Sequence, residues 1–133
     1  ALVAANLCAK TLHIVKTTYG IEEGATAFEQ VMKAAPQTTA VFCGNDVLAV
    51  GALRKARELG FKVPQDVSII GFDDIELAEI AYPALTTVHV PHREMGRRAA
   101  EALIKLLNNG TQIEAVELEA SLVFRDTLAP ARS

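Results

Sequence analysis

The sequence predicts an α/β domain built around a parallel sheet. Apolar runs of strand length alternate along the chain with helical segments, which is the pattern of βαβ units. These runs are continuously apolar rather than alternating, as expected for strands that are covered on both faces. Half of the 133 residues are apolar, so the chain can bury a substantial core.

Each element is predicted from its local pattern and its boundaries. β-branched residues mark a first strand at 12–15. Pro36 ends the helix after it, and Gly60 is placed to end the next helix in a left-handed conformation. Asp46 is expected to cap the start of that second helix. The predicted strands are residues 12–15, 39–43, 67–72, 86–90, 116–118 and 122–124. The predicted helices are residues 1–7, 22–35 and 47–59, a short one between Asp74 and Tyr82, and 91–108, and a loose tail is expected at Ala129 and Pro130.

The charge pattern argues against a DNA-reading surface on this chain. The formal net charge is −3, and acidic and basic residues are mixed along the sequence. Basic residues cluster at 54–57 and 93–98, but helix formers interleave both clusters, as on a solvated helix face. A nucleic-acid reader usually concentrates its positive charge in one stripe. We therefore do not expect this chain to bind DNA directly.

Cysteine usage and hydropathy favour a cytoplasmic protein. Cys8 and Cys43 each lie in an apolar segment, which is typical of small buried side chains rather than of a disulfide framework. No apolar run approaches the length of a membrane span. The chain opens at Ala1 within a helical pattern, and we expect it to be part of a longer protein.

Polar residues follow the predicted strands at the edge where open parallel sheets bind ligands. This rule marks the loop at Tyr19, the turn at Asn45 and Asp46, and the turn at Asp73 and Asp74. The sequence therefore predicts a ligand site at this edge.

Five segments, in order along the chain, resemble the effector-binding region of LacI/GalR transcription regulators. They are TTAVFCGNDVLAVG, ending at Gly51; VPQDVSIIGFDD, at 63–74; PALTTV, at 83–88; Gly96 with Ala99 and Ala100; and LVFRD, at 122–126. Each segment is weak alone, but five in order at the right spacing are a specific signal.

The resemblance implies a periplasmic-binding-protein type I architecture, in which two Rossmann-like lobes are joined by three chain crossings. We expect residues 1–88 and 119–133 to form most of the C-terminal lobe. Residues 89–118 would be a crossover and a helix of the N-terminal lobe. The second crossing is expected at Thr87, Val88, His89 and Val90, and the third near 115–119.

Four residues are predicted to contact the ligand. Asp73 matches the family position that accepts hydrogen bonds from ligand hydroxyls, and Tyr19 matches an aromatic that stacks on the ligand ring. Asn45 can donate and accept at once, and His92 matches a position just past the second crossing. Structural roles are the alternatives: Asp73 as a helix cap, Tyr19 as a packed loop aromatic, and Asn45 as a turn residue. Asp74 is expected to be a cap.

The resemblance also implies a homodimer. Val50, Arg54 and Glu58 on one helix, together with Tyr82, match the family's dimer contacts. Packing of that helix against its own sheet is the alternative. A metal site is not expected, because His89 and His92 lack a third ligand at a suitable spacing.

The function that the resemblance implies is the sensing of a small effector, a sugar, sugar derivative or nucleoside-like molecule, that controls operator binding. Operator DNA would be contacted only through an N-terminal helix-turn-helix domain, which this chain lacks. A periplasmic sugar-binding protein is one alternative. An enzyme with magnesium at Asp73 and Asp74 is another. Since no phosphate-binding glycine loop, nucleophile elbow or base–nucleophile pair is present, we expect no catalysis and no cofactor.

Overall fold

The computed structural model describes residues 12–109 and 115–131. Helices and strands alternate through most of this part of the chain, as predicted. In chain order the elements are α1 (Ile21–Ala34), β1 (Ala40–Phe42), α2 (Asp46–Glu58), β2 (Ser68–Ile70), α3 (Glu76–Ile80), β3 (Thr87–His89), α4 (His92–Asn109) and β4 (Ser121–Val123).

The strands form two two-stranded sheets, β1 with β2 and β3 with β4. β1 lies parallel to β2, with Val41 opposite Ile69. A parallel bridge between Ile70 and Thr86 brings the start of β3 alongside the end of β2. β4 runs antiparallel to β3. The prediction of parallel strands is therefore confirmed for β1 and β2, while β3 and β4 form a separate antiparallel pair.

The core lies between the β1–β2 sheet and the pair of helices α1 and α2. Its largest fully buried apolar side chains are Phe28, Val67, Ile69 and Leu85. The two helices approach closely because each has a glycine at the contact. A Cβ on Gly51 would lie 2.0 Å from the carbonyl oxygen of Ile21.

The prediction of strands at 12–15 and 116–118 is wrong, because both segments are irregular. A strand needs a hydrogen-bonded neighbour as well as β-branched residues. The backbone hydrogen bonds in the described part of the chain pair neither segment with a strand. Leu12, Ile14 and Val116 in these segments are correspondingly open to solvent, and Ile14 is 74% exposed. The predicted helix at 1–7 and Cys8 lie outside the described residues.

Thr127 and Ala129 are hydrogen-bonded to β2, so the prediction of a loose tail is wrong at Ala129. The Ala129 N–H donates to Ser68 Oγ over 3.1 Å. Just before it, the fully buried Thr127 donates from Oγ1 to the Ile69 carbonyl at 2.6 Å. The same oxygen accepts from the Thr86 N–H at 2.9 Å. These bonds connect β2 to the start of β3, where the two strands pair through only a short stretch.

Helix α4 differs from the other long helices because it leaves its apolar residues exposed. The exposed apolar side chains on it are Met95, Leu103, Ile104, Leu106 and Leu107. Within the described ranges, no helix combines the length and the hydropathy needed to cross a membrane.

We expect Gly51→Ala to lower the free energy of unfolding by about 1–3 kcal/mol, because the added methyl group meets backbone that cannot move freely. Gly96→Ala is the matched control, since a Cβ at Gly96 has no heavy atom within 4 Å. This exposed helical position should gain about 0.5–1 kcal/mol. Urea denaturation of both variants measures the difference. Equal effects of the two substitutions would contradict the close approach of α1 and α2.

Candidate functional site

The turn that follows β2 is held in an unusual backbone conformation. Asp73 has φ 105° and Asp74 has φ 55°, both in the left-handed region. For residues other than glycine this costs about 1–2 kcal/mol each. The turn is fixed at both ends, because the Asp73 N–H donates to the Val88 carbonyl at 3.0 Å and the Ile75 N–H donates to Asp46 Oδ2 at 2.9 Å.

Asp46 is a fully buried carboxylate beneath this turn. Besides the bond from Ile75, its Oδ1 accepts from Thr87 Oγ1 at 2.5 Å. The expectation that Asp46 caps α2 is wrong. Asn45 is the cap, since its Oδ1 accepts from the Leu48 N–H at 2.8 Å. The Asp46 side chain turns into the core instead, where buried hydrogen bonds satisfy its charge.

Glycine at position 71 makes room for this carboxylate. A Cβ on Gly71 would lie 2.2 Å from Asp46 Oδ1 and 2.9 Å from a methyl group of Leu85. The residue after the last position of β2 must therefore be small for α2, β2 and β3 to meet around Asp46.

Asp74 is held by two partners and does not cap α3. Its Oδ1 accepts from the guanidinium of Arg125 at 2.8 Å, and its Oδ2 lies 2.9 Å from His89 Nδ1. Burial raises the pKa of Asp74, but the hydrogen bonds from Arg125 and His89 and their charges outweigh burial and lower it below its usual value. The N-cap position of α3 is Ile75, so a cap role is wrong for Asp73 as well.

The Asp73 carboxylate faces an open depression and keeps a third of its surface free. Its side chain is 32% exposed, and His92 Nε2 lies 3.6 Å from Oδ1. Asp73, His89, His92 and Arg93 all line the depression. The structure therefore brings two of the four predicted ligand residues together.

Glu94, which also lines the depression, is neutralised by its own helix. It is paired with Arg97 and with Arg98, the latter at 2.7 Å. Hydrogen bonds from these two arginines lower the pKa of Glu94 to about 2. Asp73 differs from Asp74 and Glu94 in having no arginine partner among the described residues.

Tyr19 and Asn45 lie apart from this depression. Tyr19 is 73% exposed and lies beside the Gly44 turn. Asn45 is half-buried and caps α2 through its side chain. The alternative of a left-handed turn residue is wrong for Asn45, because its backbone is extended, with φ −156°, as a helix N-cap requires. A ligand role for Tyr19 or Asn45 stays a prediction.

Sequence reasoning missed Arg125. It lies two residues after the end of β4, and one of its terminal nitrogens donates to the Leu85 carbonyl at 2.9 Å. Arg125 belongs to the segment LVFRD at 122–126, and a lone basic residue directly after the predicted strand at 122–124 was the available signal. Its partner lies 51 positions away, so no local pattern could have identified the pair.

A second cavity, of about 380 Å³, lies between α1, β1 and the segment before α1. Cys43 lines it and is buried, as predicted. Burial raises the pKa of this thiol to about 12, and the charge of Asp46 adds to the effect. The thiol therefore stays protonated and acts as a small apolar side chain. In the part of the chain that the structure describes, no three potential metal ligands are grouped.

Comparison with known proteins identifies the family to which this chain belongs. Residues 4–128 match the periplasmic binding protein-like domain. The chain belongs to this family.

Two relatives of this chain are transcriptional repressors. The chain is 39% identical over 126 residues to the HTH-type transcriptional repressor PurR of Photorhabdus laumondii, and the match covers 94% of this chain and 37% of the relative. The PurR repressor of Salmonella arizonae is 39% identical, covering 87% of this chain and 34% of the relative. The chain thus spans little more than a third of these relatives.

Solved structures of transcription regulators have a fold similar to that of this chain. A complex of the transcriptional regulator CelR with cellobiose has a TM-score of 0.89 at 31% identity and covers 95% of this chain and 39% of that one. A LacI family regulator from Enterococcus faecium with bound ribose has a TM-score of 0.88 at 30% identity and covers 98% and 49%. The resemblance to LacI/GalR regulators and the predicted periplasmic-binding-protein fold are confirmed.

The lowered pKa of Asp74 makes stability depend on pH in one direction. A carboxyl whose pKa is lower in the folded state stabilises it above the unfolded pKa of about 3.9, and this contribution is lost as pH falls through the folded pKa. We expect Asp74→Asn to lower the free energy of unfolding at pH 7 by about 1–3 kcal/mol. The decline of stability between about pH 5 and pH 2 should also become shallower. Urea denaturation across this range measures both effects.

Asp126→Asn is the matched control, because it removes a carboxylate from an exposed neighbouring residue. It should keep the wild-type pH dependence. If Asp74→Asn also kept the wild-type decline, the ion pair with Arg125 would not stabilise the folded state.

Proposed function

We propose that this chain is the effector-sensing part of a LacI-type transcription regulator, and that Asp73 is its main contact with the effector. The carrying observation is that Asp73 presents a partly exposed carboxylate on a rigid turn, with His92 Nε2 3.6 Å away. The two neighbouring carboxylates, Asp74 and Glu94, are already paired with arginines. Asp73 is therefore the acceptor that remains for a ligand.

The chemistry of this pair suits a ligand rich in hydroxyl groups. A carboxylate accepts two hydrogen bonds in fixed directions, and an imidazole can donate or accept beside it. We infer a sugar, a sugar derivative or a nucleoside-like molecule. The ribose and cellobiose in the two solved relatives support this class. Tyr19 and Asn45 remain candidate contacts on the side of α1 and β1.

We infer that the ligand acts by shifting the relative position of two lobes. Residues 1–88 and 119–133 would form the C-terminal lobe, and 89–118 would belong to the N-terminal lobe, with Thr87 to Val90 as a crossing. The exposed apolar residues of α4 support this assignment, because a helix of that kind is normally covered. A ligand that contacts both lobes changes their equilibrium only through different affinities for the two arrangements.

The regulator would read operator DNA through a helix-turn-helix domain outside this chain and act in the cytoplasm. The relatives named above are transcription regulators, which favours this function over the periplasmic transport alternative. The two PurR relatives are transcriptional repressors rather than enzymes, which also argues against catalysis.

The test is a thermal-shift screen of the intact protein against sugars, sugar acids and nucleosides, ribose and cellobiose included. A compound at a hundred times its dissociation constant stabilises the folded state by about 2.7 kcal/mol. We expect Asp73→Ala to abolish that shift, because the ligand loses its charged acceptor, and the exposed Asp126→Ala to preserve it. If the ligand still stabilised Asp73→Ala, the ligand site would not include Asp73. A screen without any stabilising compound would count against effector sensing.

We also propose that the chain forms homodimers through the outer face of α2 and the segment after α3. Tyr82 is 84% exposed there, beside the exposed Ile80. Arg54 and Glu58 flank this face and are held in ion pairs within the chain, at 2.6 Å from Arg54 to Glu22 and 3.5 Å from Arg54 to Glu58. Val50 is half-buried on the same helix.

Tyr82→Glu should shift the intact protein from dimer to monomer in sedimentation velocity, because it places a charge in an apolar contact. Tyr82→Phe retains the ring and should remain dimeric. Identical sedimentation of the two variants would exclude Tyr82 from the dimer contact.

A further inference from the structure

Two residues beside Asp73 have no part in the proposed ligand contacts and are nevertheless nearly buried. The side chains of Asp74 and Arg125 are 16% and 18% exposed. Both carboxylate oxygens of Asp74 are occupied, Oδ1 by Arg125 at 2.8 Å and Oδ2 by His89 at 2.9 Å. Asp74 is therefore bound to the protein rather than presented to a ligand. We call Asp74, Arg125 and His89 the Asp74 clamp.

Arg125 is held through its backbone N–H and through both terminal nitrogens of its side chain. Its backbone N–H donates to Thr86 Oγ1 at 3.0 Å, and one guanidinium nitrogen donates to the Leu85 carbonyl at 2.9 Å. The other terminal nitrogen reaches Asp74. A planar guanidinium that donates in two directions has little freedom to move, which a lysine ammonium cannot reproduce. Arg125 is thus a rigid support for the turn.

The turn needs such a support because of its backbone. Asp73 and Asp74 both have positive φ, so the turn would relax to another conformation without bonds that hold it. The bond from Ile75 to Asp46 fixes the far end of the turn, and the bond from Asp73 to Val88 fixes the near end. The Asp74 clamp fixes the side chain between them. Relaxation of this turn would rotate the Asp73 carboxylate away from the depression.

We propose that Asp74 and Arg125 are positioning residues that hold the Asp73 carboxylate toward the ligand. The significance of this role rests on the proposed function. The Asp74 clamp also joins the turn to both strands of the antiparallel pair, since His89 ends β3 and Arg125 follows β4.

The experiment measures amide hydrogen exchange by NMR in the intact, ligand-free protein. The reporting amides are those of Asp73, bonded to Val88, and Ile75, bonded to Asp46. The Ile69 amide, bonded to Thr127 in the core, reports global opening. The variants are Asp74→Asn, Arg125→Gln, their double mutant and Arg125→Lys, with Asp126→Asn as control.

We expect Asp74→Asn and Arg125→Gln each to speed exchange at Asp73 and Ile75 by about tenfold or more relative to Ile69, because the turn loosens more than the whole fold does. The double mutant should add little, since the two residues act through one bond. Arg125→Lys keeps the charge and should restore part of the protection, and it also serves if a neutral variant fails to fold. Asp126→Asn should leave all three amides unchanged.

Unchanged exchange at Asp73 and Ile75 in the single variants would overturn the proposal. An equal acceleration at all three amides would also overturn it, because the pair would then stabilise the whole fold without directing the turn. The measurement uses no ligand, so a failed effector screen would remove the proposed function without altering this result.

Discussion

Asp46 is a fully buried carboxylate whose two oxygens accept hydrogen bonds from different parts of the chain, Thr87 on β3 and Ile75 before α3. Its own N–H donates to the carbonyl of Phe72. One residue at the start of α2 thus fixes the end of β2, the start of α3 and the strand beside them. A buried carboxylate without these partners would be very costly, so the three elements have to meet around it. The position of the candidate site follows from this constraint.

Three carboxylates near the end of β2 lie in different environments, and their roles differ accordingly. Asp46 is buried and structural, Asp74 is neutralised by Arg125 and His89, and Asp73 stays partly open to solvent. Their chemistry is the same in isolation, and only burial and partners separate them. This division is the physical basis for proposing Asp73 as the ligand contact and Asp74 as its support.

The sequence was sufficient for features that depend on local pattern. Continuous apolar runs located β1 and β2, and the left-handed Gly60, with φ 82°, was predicted from its place after α2. The end of β2 identified Asp73 as a site candidate. The role of Asp46 was not predictable, because Thr87 lies 41 positions away, and local pattern alone favours a helix cap. Residues 12–15 have strand propensity, but propensity does not reveal whether a neighbouring strand is in reach.

A crystal structure of the intact protein with a compound that stabilises it tests the central claim most directly. We expect a ligand hydroxyl about 2.6–3.0 Å from an Asp73 carboxylate oxygen, with Asp46 still bonded to Thr87 and Ile75. A ligand bound away from Asp73, or a turn at Asp73 and Asp74 that has left its positive-φ conformation in the complex, would contradict it.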